Sequence, residues 1–138
     1  MRFRLFILIS LISILSITGL CTYVIAVTFD VTSVGEIEDD ATTLLNDPRE
    51  VIVIDLDGKS TAIVTSRTDD GIEIIDVSNP SNPLSLGRCA DGVSCDATRL
   101  NDSWGVATYT KDGSTYAVVS SINEHSVEII DITTPASP

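Results

Sequence analysis

Basic side chains are scarce in this chain: eight Lys and Arg stand against twenty Asp and Glu in 138 residues. Nucleic-acid binding needs a basic face, so that class of partner is excluded. Histidine is nearly absent, with His125 alone. No nucleophile and base recur together, so no catalytic constellation is expected and the chain does not read as an enzyme. Aromatic residues make up 5% of the chain, with Trp104 the single Trp; core packing is its expected role. Tyr109 and Tyr116 fall on expected strands and suggest no site. Beyond position 29 there is no helix of note. What remains is strand-like material, enough for one small β-unit.

Charge is also missing from residues 5–29, which follow Arg2 and Arg4. A positive start before an apolar stretch reads as a signal peptide. The length equally suits a membrane anchor, which needs about 20 apolar residues. Either way residues from about Asp30 onward lie outside the cytoplasm, and an uncleaved segment 5–29 would meet the membrane. Cys21 suggests a lipoprotein site, but Leu20 stands where a small residue is expected. The expected division is therefore an N-terminal apolar helix in 1–29 and a β-repeat domain in 30–138. Beyond position 29 there are six basic and twenty acidic residues, hence −14, which fits a soluble, self-repelling surface.

What is abundant is repetition. Val51–Pro83 aligns without a gap on Val106–Pro138, an offset of 55 residues. Asp57-Gly58 falls on Asp112-Gly113, and Glu73-Ile74-Ile75-Asp76 on Glu128-Ile129-Ile130-Asp131. Upstream, Asp40-Ala41-Thr42 and Leu45-Asn46-Asp47 match Asp96-Ala97-Thr98 and Leu100-Asn101-Asp102, with one residue deleted between the triplets. Two copies result, about 34–88 and 89–138. A period of this length marks supersecondary units that bury their apolar faces only by stacking.

Each copy has the same strand grammar. Val51–Ile54 and Ala62–Thr65 flank Asp57-Gly58, and Val106–Tyr109 and Tyr116–Ser120 flank Asp112-Gly113. Asp-Gly between β-rich runs predicts a tight hairpin, because the primed turn needs positive φ. The third strands are Ile72–Val77 and Val127–Ile132. Asn79-Pro80-Ser81-Asn82-Pro83 ends the first of these, since proline cannot donate to a ladder. Leu84–Gly87 predicts a fourth strand, which the second copy lacks; Val31–Gly35 resembles it. Ile72 and Ile74 share one strand face, Glu73 and Ile75 the other. With both faces partly apolar, the sheet suits a place between neighbours. The expected fold is all-β: two four-stranded antiparallel, blade-like repeats of about 55 residues, the second incomplete, forming a partial β-propeller. Two blades cannot close a ring, so the chain is a fragment of a longer array, an assembling unit or an open sandwich.

Gly71-Ile72-Glu73-Ile74-Ile75-Asp76-Val77-Ser78-Asn79-Pro80-Ser81-Asn82-Pro83 resembles the LVIVD repeat of bacterial and archaeal surface proteins. The resemblance extends over about 34–138. It implies a β-propeller-like fold and an extracellular or cell-envelope location, and little about activity. The chain departs from the family's pattern in copy number, with two repeats instead of a full ring. An exported interaction, adhesion or envelope-structure protein is the expected function. The alternatives are a truncated remnant of a longer propeller and a carboxylate- and Ca²⁺-dependent hydrolase or lyase.

Asp69, Asp70 and Glu124 sit at matching loop positions and are the Ca²⁺ candidates, although no cofactor is the primary expectation. Asp55-Leu56-Asp57-Gly58 reads as a turn, and Asp76 and Asp131 as caps of the turns before Pro80 and Pro135. Cys89 and Cys95 are an expected disulfide of an exported chain; a thiol metal site is poorly supported with only His125 downstream. Asn101-Asp102-Ser103 is a glycosylation sequon.

Overall fold

A computed structural model describes residues 30–138. The expected N-terminal helix, its membrane contact and Cys21 lie outside them. Ser33–Pro138 form one unit built of seven strands. They are β1 (Pro48–Leu56), β2 (Lys59–Ser66), β3 (Gly71–Asp76), β4 (Leu84–Ala90), β5 (Ser103–Lys111), β6 (Ser114–Ser121) and β7 (Ser126–Asp131). Two antiparallel sheets result, β1-β2-β3-β4 and β5-β6-β7, each in chain order. The first sheet has the four strands expected, and the second has three, as expected of a copy that lacks its fourth. Val31–Gly35 forms no strand either.

The hairpins follow from their turn residues. Asp57 and Gly58 have φ of 54° and 76°, and Asp112 and Gly113 have φ of 53° and 86°. Two successive positive φ values twist the chain in the sense that feeds an antiparallel pair. The repeat is reproduced in individual backbone bonds. Val77 donates to the Ser60 carbonyl and Ile132 to that of Thr115, both at 2.9 Å. Arg67 donates to the Asp47 carbonyl and Ile122 to that of Asp102, both at 3.1 Å. Asp47 and Asp102 reach φ of 61° and 60°.

Directly paired residues of an antiparallel ladder share a face. In the first sheet Ile52 faces Ile63, and Ile63 faces Ile74. On the opposite face Val53 pairs Ala62, which pairs Ile75. The Ile52–Ile63–Ile74 face packs against Val106, Ala117, Val119, Ile130 and Ile132 of the second copy. That contact is the main core. A smaller cluster of Ala62, Val64 and Ile75 lies on the other face, partly covered by Ile37, Leu45 and Val77. The sheet is therefore apolar on both sides, as the alternation predicts.

Close approach fixes two glycines. A Cβ at Gly87, on β4, would overlap the Pro135 carbonyl oxygen; one at Gly35 would overlap that of Pro80. Both prolines occupy the same place in the repeat. Gly35 thus stands toward the first copy's turn as Gly87 stands toward the second's, although no strand surrounds it.

Candidate functional site

The polar chemistry concentrates where the loop before each first strand meets the third strand of the same copy. Glu73 is fully buried in β3. Its Oε2 accepts the Leu44 N–H at 2.8 Å, and the Ser85 hydroxyl donates to its Oε1. Burial pushes its carboxyl above the usual range, while Ser85, Leu44 and the nearby Arg88 charge pull it back. Glu128, at the equivalent position of β7, accepts the N–H groups of Thr98 at 3.2 Å and Arg99 at 2.9 Å. Each copy thus clasps its leading loop with one carboxylate. The signal in the chain is a carboxylate set among isoleucines and repeated at 55 residues.

A second set ties the two copies together. Arg67 Nε donates to Asp102 Oδ1 at 2.6 Å. Asp70 Oδ1 accepts the Asp102 N–H at 2.8 Å. Glu50 Oε2 accepts the Val106 N–H at 2.7 Å, and the Thr65 hydroxyl donates to the Trp104 carbonyl at 2.9 Å. Nothing in local sequence marks Arg67 or Glu50, because their partners lie 35 and 56 residues away.

The expected Ca²⁺ residues fall inside this scaffold. Asp69 Oδ2 accepts the Asn46 N–H at 2.9 Å and the Ser66 hydroxyl at 3.0 Å. Asp70 spends Oδ1 on Asp102 as above. Glu124 lies in the other copy and pairs with Arg99 at 3.6 Å. The three carboxylates serve separate partners. Among the described residues no group of three His, Cys, Asp or Glu side chains could hold a metal ion.

The turn residues behave as Asx caps. Gly58 donates to Asp55 Oδ1, Ser78 to Asp76 Oδ1 and Thr133 to Asp131 Oδ1, each at 2.9 Å. Those Ser78 bonds, with Lys59 at 3.0 Å, bring the Asp76 carboxyl down to about 2. The Thr133 bonds lower Asp131.

Cys89 and Cys95 are disulfide-bonded, with Cα atoms 5.2 Å apart. Cys89 is fully buried in the main core. Asn101 Oδ1 accepts from Asn123 Nδ2 at 2.9 Å. The sequon's Ser103 is wholly buried and donates to the Leu100 carbonyl at 2.7 Å. Trp104 corrects an expectation: it is 47% exposed, outside the core, with the Arg49 guanidinium 4.8 Å over its ring. Arg49 is its counterpart one repeat earlier, so the two positions meet across the joint instead of filling the interior.

No curated protein and no solved structure matches the chain. The family model of the LVIVD repeat matches residues 66–91, from the last residue of β2 through β3 and β4. That stretch contains Glu73, Gly87 and the proline-marked turn, and this chain carries an LVIVD repeat there.

Proposed function

We propose that this chain is an exported, non-enzymatic β-repeat protein that serves in interaction, adhesion or envelope structure at the cell surface. Its sheets act as blades of a stacked scaffold, with no resident cofactor. The observation that carries this reading is the use made of the carboxylates. Glu73 and Glu128 accept backbone N–H groups that hold loops to strands, Asp69 and Asp70 ones that hold loop to loop, and Glu50 one that ties β1 to β5. Acids committed in this way position backbone and leave little free for acid–base work. The net acidity beyond position 29 suits a soluble surface outside the cell and disfavours nucleic acid. Arg2 and Arg4 ahead of the uncharged 5–29 stretch support export.

Location is tested by expressing the full chain with a C-terminal epitope and treating intact cells with protease. Loss of the epitope, with a cytoplasmic marker preserved, is the expected result. An epitope recovered intact with the cytoplasmic marker would overturn the proposal.

A further inference from the structure

The two copies are stacked by one face each; among the described residues the far face of the second sheet is uncovered, and that of the first is covered only in part, by Ile37, Leu45 and Val77. The joint within the chain sets Ile52, Ile54, Ile63 and Ile74 of the first sheet against Ala117, Val119 and Ile130 of the second. One repeat later, the counterparts of the first group are Ala107, Tyr109, Val118 and Ile129. Strand register places these four on the far face of the second sheet. There Ile129 is 59% and Val127 62% exposed, whereas Ile74 and Ile72, their counterparts, are 0% exposed. Tyr109 and Tyr116 stack on that face, with ring centroids 5.1 Å apart. One repeat earlier, the counterparts of the second group are Ala62, Val64 and Ile75. They lie on the far face of the first sheet, themselves buried beneath Ile37, Leu45 and Val77, with Val51 and Val53 beside them 60% and 62% exposed. A hollow of about 450 Å³ opens there between Leu45, Val51, Val64 and Ile75.

We infer that a second copy of this chain covers these faces head to tail, the far face of one copy's second sheet seated on the far face of the next copy's first sheet. The occupant follows from the repeat. The two free faces carry, at matching positions, the same residue classes that already pack on each other once inside the chain. Such an interface is heterologous: each copy offers one surface and receives a different one. Gly35 adds continuity, since it already meets the Pro80 turn as Gly87 meets the Pro135 turn at the intrachain joint. Docking of this kind depends on the sheet faces and not on location, so its failure would leave export standing.

The test uses the full chain in mild detergent, sized by sedimentation and native mass spectrometry. Val53→Lys and Ile129→Lys each place a charge on one free face at an exposed position, so the fold is kept; circular dichroism verifies this. Wild-type protein is expected as an oligomer and each variant alone as a monomer. Mixing the two variants should give a species of two chains and no larger one, because each retains the face the other has lost. A wild-type monomer at the highest attainable concentration would overturn the inference. So would association that survives both single substitutions, which would place it in residues 1–29, or a mixture that stays monomeric.

Discussion

The Glu73 carboxylate accepts the backbone N–H of Leu44 at 2.8 Å across 29 residues of chain. The bond pins the loop that precedes β1 onto the central part of its own sheet. Removing a buried acceptor leaves the donor unsatisfied, at about 1–3 kcal/mol. Glu73→Ala should therefore lower unfolding free energy by about that amount, read from urea titrations. Glu73→Gln, which keeps an acceptor, should cost less. Burial raises this carboxyl in the fold, so its contribution is fully present in acid and is lost as pH rises from the ordinary carboxylate range through the raised value. The Gln variant should lack that decline. An identical pH profile for wild type and variant would refute the assignment.

Asp76 has the opposite sign. Its folded value of about 2 lies below the ordinary carboxylate range. Its contribution is therefore present above that range and is lost as pH falls through about 2. Asp76→Asn should be less stable than wild type above pH ~4 and converge with it near pH ~2. Chemical-shift titration of the side chain measures the value directly.

Gly87 leaves no room for a side chain beside the Pro135 carbonyl. Gly87→Ala must move the turn that carries Pro135 away from β4, and overpacking of this kind costs about 1–3 kcal/mol. Gly58→Ala is the comparison, since open space surrounds that position and only its positive φ of 76° opposes a side chain. Thermal melts of both variants separate steric from conformational cost. An unperturbed melt for Gly87→Ala would remove the close approach from the account.

The Cys89–Cys95 bond closes a loop of six residues' separation. For so short a loop the chain-entropy estimate is about 2 kcal/mol. Thiol labelling of unreduced, denatured protein should find neither cysteine free. The paired Cys89→Ala and Cys95→Ala variant should lose about 2 kcal/mol. Two labelled thiols would sink this expectation.

Chelation should leave the fold unchanged, because Asp69, Asp70 and Glu124 are engaged with an amide and a hydroxyl, an amide and a guanidinium respectively. A melting temperature that fell by ~4 °C or more on adding EDTA, equivalent to about 1 kcal/mol in a domain of this size, would restore a bound cation.

Much of the architecture was legible in the chain because it depends on neighbours a few residues apart. Asp57-Gly58 and Asp112-Gly113 specify their turns through backbone sterics, and Pro80 and Pro135 end strands by lacking a donor. The alternation of Ile72, Glu73, Ile74 and Ile75 announced a sheet apolar on both sides. The place of Trp104 is not legible in the chain, because its partner, Arg49, is brought to it only by the stacking of two sheets. The carboxylate clasps escaped for the same reason: a Glu in a strand does not name the loop whose amide it will accept.

Sequence by itself determined the repeat, its strands, its turns and the two-faced character of its sheets, since these rest on local sterics and on periodicity. Tertiary structure alone decided which of those faces is covered. Ile74 and Ile129 are the same position of the same repeat, in strands of the same kind, yet one is sealed and the other 59% exposed. Burial belongs to the surface that packs against a residue and not to the residue, so identical strands acquire different fates from their neighbours.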